Sequence, residues 1–240
     1  MRPLAAERFE AFSGQHYLLL VLFVAGAVGI VLLGRRQRGT DVARRFSRVL
    51  AVAIPCFTVP SQLFQLTPGD FDLGTSLPLQ LCDFAWVTAV WGLWTHKPLP
   101  VALTYYWGLT LTSQGILTPS LGEVFPHPRF FAFWCMHFLI VWAALYLTLG
   151  LGIGPTWRSY RITVAITLVW AVVVYAFNVA FDVNYGYLVE KPGSASLLDA
   201  LGPWPVYVLA SLGILLAGWA LLTWPWVVHA RRTQREPVTP

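Results

Sequence analysis

The stretch YLLLVLFVAGAVGIVLLGRRQRGTDVARRFSR (residues 17–48) joins a long apolar segment to a dense cluster of arginines. Residues 17–34 carry no charged side chain, and a helix needs about 20 apolar residues to cross a bilayer. Residues 35–48 carry six arginines against a single acid, Asp41. Because basic side chains accumulate on the cytoplasmic side of a membrane, the stretch predicts a spanning helix with its N-terminus outside. A cleaved signal peptide does not fit, since its charges would precede its apolar core.

The composition of the whole chain agrees with an integral membrane protein. Of its 240 residues, 57% are hydrophobic and 11% are charged, whereas soluble domains carry about 25% charged residues. A net charge of +5 would suit nucleic-acid binding, but twelve of the sixteen Lys and Arg residues lie in four short stretches beside apolar runs. These stretches are 35–48, Lys97, 158–161 and 231–235. The basic charge therefore indicates topology, and we predict no nucleic-acid partner.

Seven apolar runs in the sequence are long enough to span a membrane. We predict an all-α, polytopic membrane protein that forms a seven-transmembrane-helix bundle, as one domain over residues 1–240. Alternation from the first span puts the C-terminus and a tail at 228–240 in the cytoplasm, and acids in the loops after spans two, four and six agree with this. The predicted spans are 17–34, 46–67, 77–95, 99–118, 130–150, 160–182 and 205–227.

Polar side chains interrupt five of these spans at one common depth. At about 1.5 Å per helical residue, all of them fall about 5–11 Å below the outer surface. Polar groups inside a membrane usually pair within the bundle or line a cavity, so we predict a ligand-binding cavity in the outer leaflet. We expect no comparable polar layer in the inner half of the spans. The six residues are Gln62, Gln80, Asp83, Gln114, His137 and Asn178.

Asp83 and His137 are the two ionisable members of this polar layer. A carboxylate that orients an imidazole is half of a catalytic triad. The nearby candidate nucleophiles are Cys82 in span three and Thr112 and Ser113 in span four. Neighbouring residues on a helix point about 100° apart, so Cys82 and Asp83 do not face one point squarely. The alternative is a hydrogen-bonded pair between helices that only fixes their packing.

The segment 183–204 is the one long loop on the predicted outer side, and it is rich in polar and aromatic residues. It either folds back as a lid over the cavity or forms an ordered connector at the membrane surface, and the sequence leaves both open. With the start of span seven, it adds candidate ligand contacts at Asn184, Tyr185, Lys191, Asp199 and Tyr207.

Nothing in the sequence predicts a metal or a cofactor. The cysteines Cys56, Cys82 and Cys135 show no metal-ligand spacing. A retinal-type chromophore is excluded because its Schiff base needs a lysine within a span. The two lysines, Lys97 and Lys191, both lie in loops.

Three stretches of the chain are similar to a known family of membrane proteins. They read LPLQLCDF (77–84), GILTPSLGEVFPHPRFFAFWCMHFLIV (115–141) and NVAFDVNYGYLVEKPGSASLLDALGPWPVY (178–207). In this order they resemble the bacterial YwaF family, a group of uncharacterised integral membrane proteins related to the eukaryotic transmembrane protein 164 family. The likeness extends over nearly the whole chain and is most specific in the third stretch.

The resemblance implies a seven-span protein of the bacterial plasma membrane with a link to lipid chemistry. The eukaryotic relatives are described as phospholipid acyltransferases that pass an acyl group through a cysteine in a Pro-Cys-His-Leu pattern. The matching run here is Pro78-Leu79-Gln80-Leu81, so Leu79 stands at the cysteine position and Gln80 at the histidine position. Cys82 lies three residues beyond Leu79, and His137 matches a histidine of the family's span-five motif.

Three functions remain open on the sequence alone. The first is a lipid-modifying enzyme, an acyltransferase or hydrolase acting on a phospholipid, with His137 as general base and Cys82 as nucleophile. In it, Asp83 or Asn178 would orient His137. The second is a receptor-like or transport protein that binds a small polar ligand, and the third is a non-catalytic structural protein whose polar layer only joins helices. The membrane lipid is the predicted partner, and the sequence leaves the oligomeric state open.

Overall fold

The chain folds into helices joined by loops in the computed structural model, which describes residues 9–119, 121–193 and 196–233. Within these residues every regular element is helical, so the predicted all-α class is confirmed. Apolar composition favours this outcome, because a helix satisfies its own backbone N–H and C=O groups in hydrocarbon. The α-helices are α1 (Gly14–Gln37), α2 (Asp41–Gln65), α3 (Leu81–Thr95), α4 (Pro98–Tyr106), α5 (Ser113–Leu117), α6 (Pro128–Leu145), α7 (Trp157–Phe181) and α8 (Val206–Thr233).

Two segments with π-helical geometry lengthen these helices. Trp107–Thr112 joins α4 to α5, so residues 98–117 form one helical rod. Tyr146–Gly150 extends α6. Two short 3₁₀ segments, Tyr185–Tyr187 and Leu197–Leu201, lie in the connection between α7 and α8.

The helix boundaries differ most from the predicted spans in the arginine-rich segment 35–48. A loop is expected there, whereas α1 continues to Gln37 and α2 begins at Asp41. Thr40 is the N-cap residue of α2, and Asp41 lies in its first turn, where the helix dipole favours an acid. Hydropathy finds the apolar part of a helix and misses the polar turns that extend it.

The connections fall at two ends of the bundle. One end carries the described residues of the segments 66–80, 118–127 and 182–205, and Tyr185 Oη donates to Leu73 O across two of them at 2.7 Å. We call this the long-loop end; it is the predicted outer face. The other end carries the arginines of 35–48 and is called the basic end. The orientation of the two ends in a membrane stays a prediction.

Helix α6 lies at the centre of the bundle. It contributes to all three clusters of buried apolar side chains, through Ala143 in the first, Ile140 in the second and Trp134 in the third. Of its most apolar window 56% is buried, against 6% for α1. Residues of α6 can therefore contact several helices at once, whereas α1 lies at the periphery.

Five helices within the described residues are long and apolar enough to cross a membrane. They are α1, α2, α6 with its π-helical extension, α7 and α8. The predicted third span corresponds to α3, which has 15 residues because 77–80 are not helical. The predicted fourth corresponds to the rod 98–117, which the π-helical segment divides. The count of seven spans therefore stays a prediction.

Helix α8 extends beyond the predicted seventh span. It continues to Thr233, so the first part of the predicted tail 228–240 is helical. The remainder of that tail, residues 234–240, lies outside the described residues.

Hydroxyl and indole groups form a network in the half of the bundle nearer the basic end. Tyr106 Oη and Thr223 Oγ1 lie 2.6 Å apart, and Trp219 Nε1 donates to Thr110 Oγ1 at 3.0 Å. These bonds join the rod 98–117 to α8. The expectation of no comparable layer in this half concerned amide and ionisable side chains and stays a prediction. Apolar helices accommodate hydroxyl groups because these groups bond to a neighbouring helix or to their own backbone.

Candidate functional site

A cavity of about 260 Å³ lies at the long-loop end, between α2, α3, α6 and the segment 118–127. Its walls combine aromatic and aliphatic side chains with polar ones, which is the usual composition of a small-molecule site. Gln62 and Asp83 are the members of the predicted polar layer that line it. The polar lining side chains are Thr58, Ser61, Gln62, Gln65, Asp83, Glu123 and Arg129.

Gln62 and Gln65 present acceptors to this cavity from the last turns of α2. The amide of Gln62 donates through Nε2 to Ser76 O at 2.7 Å, and that of Gln65 donates to Ser61 O at 3.4 Å. A carbonyl can only accept, so these bonds fix which end of each amide is the nitrogen. Neither Oε1 receives a hydrogen bond from the described residues. Both oxygens therefore remain available to a ligand.

Asp83 lies in the first turn of α3 and caps it. Its Oδ2 accepts from Gln80 N at 2.9 Å, which satisfies one of the backbone donors that a helix N-terminus leaves unpaired. The extended backbone of Gln80 ends the segment before α3 and allows this geometry. Oδ1 makes no hydrogen bond within the described residues. The carboxylate is thus held by one oxygen, and the residue lines the cavity.

Glu123 and Arg129 bring an ion pair to the cavity from the opposite side. Arg129 Nη1 lies 3.0 Å from Glu123 Oε1, and both side chains are partly exposed. His127 is the N-cap residue of α6, and its Nδ1 accepts from Arg129 N, so the first turn of α6 holds Arg129 in place. The sequence indicated Glu123 only as a marker of topology and assigned no role to Arg129. Both residues lie within the stretch 115–141, which carries the family resemblance, and close to the start of α6. That position was a signal from which their place in a site could have been predicted.

His137 is buried one layer behind the cavity wall. Its Nδ1 donates to Phe133 O at 2.7 Å, and its ring lies 4.2 Å from the ring of Phe133, which lines the cavity. A Cβ added to Gly115 would come within 2.5 Å of Nε2, so the imidazole fills the space that this glycine leaves. His137 therefore contacts the rod 98–117 and is separated from the cavity by Phe133.

No hydrogen bond joins Asp83 to His137, so the predicted carboxylate–imidazole pair is wrong as a contact. Asp83 bonds to the backbone of Gln80, and His137 bonds to the carbonyl one turn before it. Both side chains thus found partners on their own helix or its cap. Depth along a span predicts the level of a side chain and leaves its direction around the helix axis undetermined.

The candidate nucleophiles lie outside the cavity lining. The Cys82 thiol lies beside the Thr112 hydroxyl. That buried hydroxyl has no hydrogen-bond partner among the described residues. Ser113 Oγ donates to Leu109 O at 2.8 Å within its own helix. Cys82 and Asp83 point in different directions from α3, as neighbours on a helix do. A literal Cys82–His137–Asp83 triad is therefore not assembled in this structure.

Gln80 and Asn178 hold the loop 183–204 against the bundle. Gln80 Oε1 accepts from Gly186 N at 3.0 Å. Asn178 donates to Tyr185 O at 2.8 Å and accepts from Tyr185 N at 2.9 Å. Tyr185 Oη also accepts from Leu77 N at 3.0 Å, and burial raises the pKa of this phenol. These members of the polar layer therefore bond to a loop.

The other candidate ligand contacts bond to loop backbone or to one another. Asn184 Nδ2 donates to Glu190 O, and Tyr207 Oη donates to Tyr187 O at 2.6 Å. Lys191 Nζ lies 3.9 Å from Asp199 Oδ1 and 5.7 Å from the centre of the Tyr207 ring. None of the cavity-lining residues comes from the described part of 183–204. The connector interpretation accounts for these contacts, and the lid stays a prediction.

Gln114 is the member of the polar layer that the structure leaves on the surface. Its side chain is exposed and makes no hydrogen bond with the described residues. Its carbonyl accepts from Thr118 N at 2.8 Å, where the rod 98–117 ends. Gln114 is therefore not brought to the cavity.

Residues 11–223 match the model of the TMEM164 family. The chain belongs to the TMEM164 family. No curated protein and no solved structure matches it. The match confirms the predicted relation to the transmembrane protein 164 family, and the YwaF assignment stays a prediction. Family membership and the five long apolar helices together make this a membrane protein.

The reactive side chains of this TMEM164-family chain divide into two groups. Asp83, Glu123 and Arg129 line the cavity, whereas Cys82 and His137 lie outside its lining. Within the described ranges, no group of three or more His, Cys, Asp or Glu side chains could hold a metal ion. The polar side chains that line this cavity carry carboxylate, guanidinium, amide and hydroxyl groups.

Proposed function

We propose that this protein binds a membrane lipid in the cavity at the long-loop end and acts there as a lipid acyltransferase or hydrolase. The observation that carries the proposal is the mixed lining of the cavity, with Asp83 and Arg129 beside aromatic walls. A phospholipid ester lies between apolar acyl chains and a polar headgroup. A site that binds it needs both apolar and polar side chains in its lining. The proposed location is the outer leaflet of a bacterial plasma membrane.

Asp83 is the acid–base group that touches the substrate in this proposal. Its Oδ1 takes the proton of an attacking water or alcohol while the new C–O bond forms at the ester carbonyl. The old C–O bond then breaks, and the proton passes to the departing alkoxide. Arg129 donates to the oxyanion that forms in between. Water as the attacking group gives hydrolysis, and a second lipid alcohol gives acyl transfer.

His137 has a positioning role in this scheme. It supports Phe133 from behind, with the two rings 4.2 Å apart, and so shapes the cavity wall. The sequence instead suggested His137 as the general base, and Cys82 as the nucleophile. Loss of a general base, of a nucleophile or of a positioning residue lowers turnover to different extents. Single substitutions at Asp83, Cys82 and His137 therefore distinguish these roles.

The test is turnover of defined phospholipids by purified protein in lipid nanodiscs, with lysolipids and acyl-exchanged lipids measured by mass spectrometry. Asp83→Asn is expected to lower turnover by about 100-fold or more, because the base is lost and the shape is kept. Asp70→Asn is the matched control, since Asp70 is exposed at the same end and does not line the cavity. Cys82→Ser is expected to leave turnover unchanged.

Two results would contradict the assignment in different ways. Full activity of Asp83→Asn with loss of activity in folded His137→Gln would return the base to His137. An absence of turnover by the unchanged protein on every phospholipid class would remove the enzyme proposal.

A small polar ligand is the second candidate, and the size of the cavity favours it. About 260 Å³ holds a headgroup-sized molecule and is smaller than a whole phospholipid. A receptor-like or transport protein would bind such a ligand without changing it. A rise in the thermal unfolding temperature on adding a small ligand, with no lipid turnover, would support this candidate.

A further inference from the structure

The charged groups around the cavity sum to one net negative charge. Asp83 and Glu123 are acids, and Arg129 is the base among the lining residues of the described chain. Arg129 is already paired with Glu123 at 3.0 Å. The charge without an ionic partner is therefore that of Asp83, on the other side of the cavity.

The neutral polar groups add further acceptors. The Oε1 atoms of Gln62 and Gln65 receive no hydrogen bond from the described residues, and each amide nitrogen donates to a carbonyl. Together with Asp83 Oδ1, they give three oxygen acceptors from two helices. These three oxygens can bind a group that donates hydrogen bonds or carries positive charge. They do not bind an anion, which offers neither.

Aromatic side chains line the same cavity as these acceptors. Phe57 on α2, Trp86 on α3 and Phe133 on α6 come from three different helices and all line the cavity. The negative face of an aromatic ring attracts cations, and several rings beside a carboxylate are the usual way in which proteins bind organic ammonium groups. Bare metal ions, in contrast, need more carboxylate or water ligands than this wall offers.

We propose that the cavity is a binding site for an organic ammonium group, recognised by Asp83 and by the rings of Phe57, Trp86 and Phe133. Either a lipid headgroup or a small free amine can carry this group. In its lipid form the inference rests on the proposed function; in its free form it does not.

The binding test uses choline as the probe and purified full-length protein in detergent. Calorimetry compares choline with its neutral isostere, in which carbon replaces the nitrogen, and with inorganic phosphate. Choline is expected to bind about tenfold more tightly than the isostere, since only choline gains from the carboxylate and the rings. Equal binding of the two, or preferential binding of phosphate, would overturn the proposal.

Substitutions locate the effect in this cavity. Asp83→Asn is expected to abolish the preference for choline over its isostere, and Asp70→Asn is expected to keep it. Asparagine retains an oxygen that can cap α3, and thermal unfolding of each variant verifies the fold. Phe133→Leu provides a second variant, with an expected severalfold loss of choline affinity. An unchanged preference in both Asp83→Asn and Phe133→Leu would place choline elsewhere and sink the idea.

Nanodiscs distinguish the two sources of the ammonium group. If lipid headgroups occupy the site, discs of phosphatidylcholine weaken choline binding relative to discs of phosphatidylglycerol, which lacks an ammonium group. If the free amine is the ligand, the two discs give the same choline affinity. Choline binding without lipid turnover supports this inference and contradicts the enzyme proposal, whereas turnover without ammonium preference does the reverse.

Discussion

Asn178 shows how a single amide inside an apolar helix determines the path of a loop. Its side chain satisfies both the N–H and the C=O of Tyr185, at 2.9 Å and 2.8 Å, and both residues are buried. The backbone of a buried turn would otherwise have no partner, which is costly. The bonded turn places the Tyr185 phenol between Leu73 O and Leu77 N. One side chain of α7 therefore fixes the contact between two segments of the long-loop end.

Asn178→Ala is expected to destabilise the protein by about 2–4 kcal/mol, because it leaves two buried backbone groups of Tyr185 unpaired. Thermal unfolding in detergent measures the loss. Gln114→Ala is the matched control, since Gln114 came from the same predicted layer and is exposed without a side-chain hydrogen bond. A similar loss of stability in both variants would show that the hydrogen bonds of Asn178 do not stabilise the fold.

Asp83 marks the limit of residue-level prediction from the sequence. Its depth and its place near a cavity followed from hydropathy and topology, and the structure places it in the cavity lining. Its partner did not follow, because pairing depends on where α3 starts. The helix begins at Leu81, so Asp83 falls in the first turn and bonds to Gln80 N. If α3 began at residue 77, as the predicted span does, Asp83 would lie in the second turn and this bond would not form.

At the scale of elements, α1 packs closely against the π-helical end of α6. Among the described glycines, Gly34 is the one whose added Cβ would come nearest to the backbone of another helix. A Cβ on Gly34 would lie 2.7 Å from Gly150 Cα. Arg38 Nη2 donates to Gly150 O at 2.7 Å, and Arg35 Nε donates to Leu149 O at 3.4 Å. The two arginines thus satisfy carbonyls that the end of a helix leaves free. This contact holds the otherwise peripheral α1 to the centre of the bundle.

Gly34→Ala is expected to lower stability by about 1–3 kcal/mol, because the new methyl group meets backbone that cannot move aside. Gly29→Ala is the control on the same helix, since an added Cβ there meets nothing within 4 Å. Replacing that glycine is expected to raise stability by up to about 1 kcal/mol through helix propensity. Equal effects of the two substitutions in thermal unfolding would contradict a close α1–α6 contact.

The elements themselves were largely predictable, and their ends were not. Apolar runs located every long helix, because hydrocarbon requires the backbone to bond within one segment. The π-helical segments Trp107–Thr112 and Tyr146–Gly150 had no signal, since an extra residue per turn arises from packing against neighbours. The early start of α2 had a signal in Thr40 and Asp41, a capping residue followed by an acid. Hydropathy alone overlooked it.

At the scale of the whole molecule, the polar groups divide the bundle into two regions with different tasks. At the long-loop end, some amides and carboxylates bind loop backbone, as Asn178 does, and others line the cavity, as Asp83 does. Towards the basic end, hydroxyl pairs such as Tyr106 with Thr223 join one helix to another. The candidate site therefore lies at the long-loop end, where some polar atoms, such as Asp83 Oδ1, make no hydrogen bond within the described residues.

The basic end gives the molecule a predicted dependence on pH. The backbone of His96 is left-handed and caps α3, and its Nε2 lies 2.7 Å from Ser47 Oγ on α2. Burial, and then the positive charge of Arg44, lower the pKa of His96 below its usual 6.5. The unfolded chain therefore takes up this proton at a higher pH than the folded chain does. The contribution of His96 to stability is fully present above about pH 6.5 and decreases as the pH falls below it.

The unfolding temperature in detergent is expected to be level between about pH 8 and 7 and to fall below about pH 6.5, with a slope that His96→Gln reduces. Glutamine keeps a donor for Ser47 and cannot gain a proton, so it separates the charge from the hydrogen bond. His127→Gln is the control, because His127 is exposed at the opposite end of the bundle. If the slope persists in His96→Gln and disappears in His127→Gln, the proton that couples to folding binds at the long-loop end, and the Ser47–His96 contact is not its site.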